Sequence, residues 1–256
     1  MTRRLRVLAA AAVVACLAGC TGGGLARPTS SPVQGPVLEA RVYAALGASE
    51  TVGVGADHPE REAWTEVFYR TSLPESAVFY NFGEPGITVQ DALRREVPAA
   101  LAVKPDLVTV WLNTNDLIHK VPADVYEAQL DSLVGALRQG GSARVLLANT
   151  PVLDGLPAYR ECLRASPGPR CLFRDRPVPA PEEVRRLVDQ YNSAIAEVAE
   201  RRGAVLVDLH CQGDMATLHQ DWLSSDGFHP STRGHAAIAT AFAGAARGER
   251  CPKPPA

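Results

Sequence analysis

A carboxylate and an imidazole stand three residues apart near the C-terminus. The segment 225–230 reads Ser-Asp-Gly-Phe-His-Pro and immediately precedes a stretch with helical spacing. In a loop, this separation lets the Asp226 carboxylate bind one imidazole nitrogen of His229 while the other nitrogen faces outward to accept a proton. The same residues are also compatible with an ordinary turn, in which Asp226 supports Gly227 and His229 lies on the surface.

The candidate nucleophile is Ser49, which follows an apolar run. The segment 46–53 reads Leu-Gly-Ala-Ser-Glu-Thr-Val-Gly, so the serine lies in a turn bracketed by glycines. A serine hydroxyl becomes nucleophilic when an adjacent base removes its proton. Glycine and serine are also common in ordinary turns, so the functional interpretation depends on the other segments.

Two further loops carry hydrogen-bond donors. Residues 81–88 read Asn-Phe-Gly-Glu-Pro-Gly-Ile-Thr, and residues 113–116 read Asn-Thr-Asn-Asp. The backbone N–H of Gly86, the side-chain amide of Asn115 and the backbone N–H of Ser49 would place three donors around a developing oxyanion. Each residue, taken singly, is equally typical of an ordinary turn.

The elements between these loops predict how they are brought together. Apolar runs predict buried strands over residues 37–46, 77–82, 107–112, 144–149 and 204–209, and helical spacing occurs over 60–70, 89–101, 123–139, 182–201 and about 232–246. This alternation predicts a parallel sheet covered on both faces. Because no dinucleotide fingerprint follows the first strand, we expect a five-stranded flavodoxin-like sheet in a three-layer α/β/α sandwich. Ligands bind such sheets at the carboxyl ends of the strands.

The four loops, in this order, resemble those of the SGNH hydrolase superfamily, over residues 37 to about 246. In that family the first block reads Gly-Asp-Ser followed by Thr and Gly, the third reads Gly-x-Asn-Asp, and the last reads Asp-x-x-His. The positions of this chain that match the family's blocks are Ser49, Thr51, Gly53, Gly86, Asn115, Asp116, Asp226 and His229.

The resemblance implies a GDSL-type serine esterase that hydrolyses acyl esters of lipids or carbohydrates without a cofactor. By this resemblance Ser49 attacks the ester carbonyl, His229 is base and then acid, and Asp226 orients it. Gly86 and Asn115 would complete the oxyanion hole. The alternative is a catalytically silent surface protein that binds carbohydrate or lipid in the same cleft.

Two residues depart from the family pattern. Ala48 stands where the family usually has Asp before the serine, and Asn113 stands where the third block usually has Gly. Neither departure removes a member of the triad or an oxyanion donor. Asn113 adds a side chain beside the predicted pocket, so we expect the local turn to differ.

The N-terminus has the pattern of an export signal. Residues 1–6 include three arginines, residues 7–18 form an apolar run too short to span a bilayer, and residues 17–20 read Leu-Ala-Gly-Cys, which looks like a bacterial lipobox. We expect a signal peptide over 1–19, lipid on Cys20, a flexible tether over 20–36 and the hydrolase domain over 37–256. The protein would then be held on the outer face of the cytoplasmic membrane. An ordinary signal peptide that happens to contain a cysteine is the alternative.

Export to an oxidising compartment makes the other cysteines disulfide candidates. With Cys16 removed and Cys20 lipidated, an even set remains, namely Cys162, Cys171, Cys211 and Cys251. Three pairings are possible: the first two would close a short loop, and the last two would attach the C-terminal tail. The short loop lies in segment 151–181, which is rich in proline and arginine. A segment of this length is either a structured lid or pocket wall, or a solvated excursion.

Composition limits the partners. The net charge is −2 with 46% hydrophobic and 21% charged residues, which predicts a globular domain without a basic face. We therefore expect no nucleic-acid partner. The resemblance to the SGNH family implies a small ester substrate, and we expect the protein to be a monomer. No metal site is expected, because His210, His219 and His235 lack ligand spacing with a third partner.

Overall fold

A parallel five-stranded sheet lies at the centre of the computed structural model, which describes residues 38–138, 143–174 and 177–251. The strand order is β2-β1-β3-β4-β5, which is the flavodoxin-like order, so the predicted fold class is confirmed. The strands are β1 (Val42–Gly47), β2 (Val78–Asn81), β3 (Leu107–Trp111), β4 (Arg144–Ala148) and β5 (Val205–Val207).

Helices connect the strands and cover the sheet. They are α1 (Pro59–Glu62), α2 (Trp64–Ser72), α3 (Val89–Arg94), α4 (Glu96–Ala102), α5 (Thr114–Ile118), α6 (Ala123–Leu137), α7 (Pro157–Cys162), α8 (Pro181–Arg202), α9 (Met215–Leu218) and α10 (Thr232–Ala246). Short 3₁₀ turns cover His210–Gln212 and Gln220–Trp222. None of the helices in the described ranges is long and apolar enough to cross a membrane.

Alternation along the strands divides the core into two apolar clusters. Leu46 of β1 and Val110 of β3 belong to a cluster with residues of α3, α4, α6 and α8. Their neighbours Ala45 and Trp111 belong to a second cluster with residues of α2 and α10. Because successive side chains of a strand point to opposite faces, the sheet carries helices on both sides, as predicted for the three layers.

Two predicted helices are each interrupted. The helix predicted over 60–70 breaks at Ala63, where the backbone N–H of Trp64 is bound by the side chain of His235 in α10 (3.2 Å). The helix predicted over 89–101 breaks at Arg95. Pro98 explains the second break, because proline has no N–H to donate to the carbonyl four residues earlier and its ring clashes with that carbonyl.

The first strand begins later than its apolar run suggests. It begins at Val42, because the carboxylate of Asp106 binds the backbone N–H groups of Arg41 and Val42 at 2.9–3.0 Å. The predicted signal peptide over 1–19, the lipidation site Cys20 and the tether over 20–36 lie outside the described residues.

Candidate active site

Ser49 is held in a tight turn at the carboxyl end of β1. The backbone N–H of Thr51 donates to the carbonyl of Ala48 (3.1 Å), and that of Val54 donates to the carbonyl of Ser49 (3.0 Å). Gly47 begins the turn at φ +157°, where a Cβ would lie 2.0 Å from the Thr51 hydroxyl oxygen and 2.8 Å from a backbone carbonyl oxygen. Only glycine therefore fits at position 47. Ser49, two residues later in this turn, is 9% exposed.

The segment between Leu223 and Pro230 forms a second turn, directly before α10. The two end residues form an antiparallel bridge. Within the turn, Oδ1 of Asp226 accepts hydrogen bonds from the Ser224 hydroxyl (2.7 Å) and from the backbone N–H groups of Phe228 (2.8 Å) and His229 (3.0 Å). These contacts to Oδ1 fix the orientation of the Asp226 carboxylate relative to the His229 imidazole.

The two turns bring three predicted residues together. Nδ1 of His229 lies 2.6 Å from Oδ2 of Asp226, and Nε2 lies 3.1 Å from Oγ of Ser49. A carboxylate only accepts hydrogen bonds, so Nδ1 carries the proton and Nε2 is left to accept one. The turns also pack on one another: a Cβ added to Gly55 (φ +96°) would lie 2.2 Å from the carbonyl oxygen of Pro230.

The electrostatics of this group favour an ionised Asp226. Its partial burial acts to raise the pKa, but hydrogen bonds from His229, Phe228 and Ser224 outweigh this effect and lower the pKa below its ordinary value. The carboxylate therefore stays negative across the neutral range and can stabilise an imidazolium at Nδ1.

Gly86 and Asn115, two of the three candidate oxyanion donors, lie beside each other. The Asn115 amide donates to the carbonyl of Ile87, which follows Gly86 in the chain (3.0 Å). Gly86 is exposed and has φ +82°; no atom lies within 4 Å of an added Cβ, so the backbone conformation rather than crowding favours glycine. The Gly86 loop is tied to the nucleophile turn, because the backbone N–H of Glu84 donates to the carbonyl of Gly47 (3.0 Å).

The helix that follows the Gly86 loop is held by Asp116, the neighbour of Asn115. Both carboxylate oxygens of Asp116 accept from the backbone N–H of Val89 at 3.2 Å. Burial raises the pKa of Asp116 to about 7, although the Val89 hydrogen bond opposes the shift.

Both departures from the family pattern are accommodated inside the domain. Ala48 is 5% exposed and belongs to the same apolar cluster as Leu46. Asn113 is 3% exposed, and its amide lies 3.5 Å from the carbonyl of Ala148 at the end of β4. Its φ of −164° is extended backbone, so glycine is not required there.

Three residues that contact these turns had no predicted role in the site. Glu96 is 1% exposed and accepts from the backbone N–H of Gly47 (3.1 Å); burial raises its pKa to about 8. Glu50 is a second acceptor for the Ser49 hydroxyl, at 3.3 Å. His235 is fully buried, and its Nε2 donates to the carbonyl of Val54 (3.1 Å). Glu96 and His235 lie in no recognisable motif, whereas Glu50 lies in the nucleophile block beside Ser49, which was a signal.

The pairing of the cysteines and the form of segment 151–181 are decided in the structure. Disulfides join Cys162 to Cys171 and Cys211 to Cys251. The first closes a loop after α7, and the backbone N–H of Ala158 in α7 donates to the carbonyl of Gly227 (3.1 Å). The described part of the segment is therefore a structured wall against the turn that carries His229, not a solvated excursion.

Two adjoining cavities lie beside this turn. One, of about 120 Å³, is lined by Glu50 and by residues on both sides of His229. The other, of about 770 Å³, extends between the described part of segment 151–181, α8 and the region after Asn115. Four residues line both cavities, namely Thr114, Leu153, Leu156 and Phe228. Within the described ranges, no group of three or more His, Cys, Asp or Glu side chains could hold a metal ion.

Comparison with known proteins agrees with the fold and shows the family of the chain. The model of the GDSL-like lipase/acylhydrolase family matches residues 45–237. An acetylxylan esterase from Geobacillus stearothermophilus is 29% identical over 178 residues, which span 63% of this chain and 68% of the relative. The range matched by the family model includes all four loop segments quoted above, at residues 46–53, 81–88, 113–116 and 225–230.

Solved structures share the fold. A lipase/acylhydrolase from Enterococcus faecalis superposes with a TM-score of 0.60 at 20% identity, over 84% of this chain and 100% of that one. A catalytic mutant of an acetylxylan esterase from Geobacillus stearothermophilus gives a TM-score of 0.59 at 21% identity, over 81% and 94% of the two chains.

Proposed function

Because the chain belongs to the GDSL-like lipase/acylhydrolase family and is a hydrolase acting on ester bonds, we propose that it cleaves acyl esters of lipids or carbohydrates through Ser49, His229 and Asp226. The observation that carries this proposal is the continuous hydrogen-bonded chain from Ser49 Oγ through both imidazole nitrogens to the Asp226 carboxylate, at 3.1 and 2.6 Å. This is the arrangement that nucleophilic acyl transfer requires.

In the proposed reaction, Ser49 Oγ attacks the ester carbonyl carbon while its proton passes to Nε2 of His229. The tetrahedral intermediate collapses when the C–O bond to the alcohol breaks and His229 returns the proton to that oxygen. Water then attacks the acyl-serine with His229 again as base, which releases the carboxylic acid and restores the Ser49 hydroxyl. Asp226 stabilises the imidazolium that forms in each half-reaction.

Three donors are proposed for the oxyanion: the backbone N–H groups of Ser49 and Gly86 and the amide of Asn115. The contact between the Asn115 amide and the Gly86 loop supports this assignment. The link between Glu84 and Gly47 supports it further, because it fixes the Gly86 loop relative to Ser49 before substrate binds. Preorganised donors of this kind stabilise developing charge without reorganisation.

The test of the nucleophile is covalent labelling together with turnover. The wild-type chain should hydrolyse a chromogenic butyrate ester, and a fluorophosphonate should label Ser49, as mapped by peptide mass spectrometry. Ser49→Ala should lose labelling and on the order of 10⁴-fold or more in kcat. Ser225→Ala, which changes an exposed serine beside Asp226, is the matched control and should keep both. Near-normal turnover by Ser49→Ala would rule out this nucleophile.

The proposed location is the outer face of the cytoplasmic membrane, with lipid on Cys20, and the proposed state there is monomeric. The lipobox-like residues 17–20 and the Gly-, Pro- and Ser-rich tether support the membrane location. Cys20→Ala should move the protein from the membrane fraction to the soluble fraction and abolish incorporation of radiolabelled fatty acid. Cys16→Ala, in the same leader, should change neither. Absence of label in the wild-type protein would exclude the anchor.

A further inference from the structure

We propose that this esterase prefers medium-chain fatty acyl esters over acetyl esters, with the acyl chain lying in the larger cavity. This inference rests on the proposed function, because it assigns the acyl half of the same substrate. The cavity occupies about 770 Å³, within the range of pockets that enclose whole small-molecule ligands. An acetyl group would leave most of it unfilled.

The cavity lies next to the proposed catalytic group. Phe228 lines it and precedes His229 in the chain, and the centroids of these two rings are 4.9 Å apart. Thr114, which precedes Asn115, lines it as well. A chain attached to a carbonyl carbon at Ser49 would therefore enter the cavity between the His229 turn and the Asn115 loop.

The wall is mainly apolar. Leucine, valine, proline and aromatic side chains make up most of it, including Leu117, Val121, Leu156, Phe173, Val184 and Leu187. The polar members of the wall are Thr114, Lys120, Asp124, Tyr159, Glu183 and Gln190. Burial of methylene groups against such a wall is favourable, whereas sugar hydroxyls would lose hydrogen bonds to water without enough replacements. This lining favours an alkyl chain over a carbohydrate as the occupant.

The described part of segment 151–181 completes the cavity and is fixed to the proposed catalytic turn. Phe173, two residues after the disulfide at Cys171, packs edge-on against Phe228 with centroids 5.9 Å apart. Gly227 contacts α7 so closely that a Cβ would lie 2.8 Å from Pro157. The Tyr159 hydroxyl donates to the carbonyl of Pro179 (2.7 Å), which joins the two sides of the segment. The cavity is therefore preformed, and chain binding requires little ordering.

The test compares p-nitrophenyl acetate, butyrate and octanoate. For the wild-type chain, kcat/KM should rise from acetate to octanoate by up to about fourfold per added methylene. Leu187→Trp, which fills the cavity from α8, should lower the octanoate-to-acetate ratio of kcat/KM at least tenfold by an order-of-magnitude estimate. Asp189→Trp, at an exposed position of the same helix, should leave the ratio unchanged.

The outcomes separate this inference from the function on which it rests. Wild-type turnover that is fastest with acetate, or an unchanged ratio in a folded Leu187→Trp variant, would overturn the assignment of the cavity while leaving the esterase intact. If the variant fails to fold, Val184→Trp replaces it with the same expected fall in the ratio. Failure of the wild-type protein to hydrolyse any of the three esters would refute the proposed function itself.

Discussion

Replacing Glu96 with glutamine should change how the stability of the protein depends on pH. Burial raises the pKa of Glu96 from 4.5 to about 8, against the opposing effect of the Gly47 hydrogen bond. Between these two values the folded protein keeps the proton while the unfolded chain releases it. The folded state then binds more protons than the unfolded state, so the free energy of unfolding must fall as the pH rises through this window.

The magnitude follows from the size of the shift. Each pH unit in the window removes about 1.4 kcal/mol from the free energy of unfolding. Across the pH window from 4.5 to about 8, Glu96 therefore lowers the free energy of unfolding by roughly 5 kcal/mol. Glutamine keeps an oxygen acceptor for Gly47 and cannot ionise. The variant should match the wild type near pH 5 and become the more stable protein by up to about 5 kcal/mol at pH 8.5.

Urea unfolding, followed by circular dichroism from pH 5 to 8.5, measures this difference. Asp116, whose pKa burial raises to about 7, adds its own loss of stability with rising pH, but this contribution is common to both proteins and cancels. Glu75→Gln, at an exposed glutamate, is the control and should show no pH-dependent difference. A difference between Glu96→Gln and wild type that stays constant with pH, or grows toward acid, would refute the reasoning.

Three further changes test the site and the fold. Asp226→Asn should lower kcat by on the order of 10⁴-fold, because an amide neither stabilises the imidazolium nor holds the proton on Nδ1 of His229. Steady-state kinetics measures this loss of kcat, and a loss under tenfold would contradict the role assigned to Asp226. Asn115→Ala should lower kcat by about 10²-fold through loss of an oxyanion donor; a change confined to KM would argue against this role. Cys251→Ser removes the disulfide to Cys211, which closes a loop with a sequence separation of 40, and should lower the free energy of unfolding by about 4 kcal/mol. An unchanged urea midpoint would show that this disulfide does not restrain the unfolded chain.

Prediction from the sequence succeeded where the signal was local. The five strands were predicted from short apolar runs, and all five form. The central strands β1, β3 and β4 are buried on both faces and therefore need apolar side chains at almost every position, whereas the edge strand β2 is largely exposed. The helix predicted over 182–201 is observed as Pro181–Arg202, with Pro181 at its first position and Gly203 after its end. The breaks at Ala63 and Arg95 were missed. The break at Ala63 depends on a contact with His235, which lies far away in the sequence, in α10. For the break at Arg95, Pro98 was a local signal.

In the candidate site, too, the residues with a local sequence signal were predicted and those without one were missed. The types and chain order of Ser49, Asp226 and His229 were sufficient to single them out, and the structure places them in hydrogen-bond contact; their catalytic roles remain predictions. Gly86 and Asn115 were also singled out from the sequence, and the Asn115 amide donates to the carbonyl of Ile87, the neighbour of Gly86. Their role as oxyanion donors remains a prediction. Glu96 had no such signal, because an acidic residue in the first turn of a helix usually faces solvent.

The sequence by itself determined which side chains were available for chemistry and at which strand ends they stand, because strand periodicity and turn residues are encoded locally. Only the tertiary structure decided which of the three disulfide pairings forms, and that the described part of segment 151–181 is a wall of the cavity. It also decided that a buried carboxylate lies under the nucleophile turn. The physical reason is sequence distance: the contact of Ser49 with His229 spans 180 residues and that of Gly47 with Glu96 spans 49. Such pairs meet only after the sheet and both helical layers have packed.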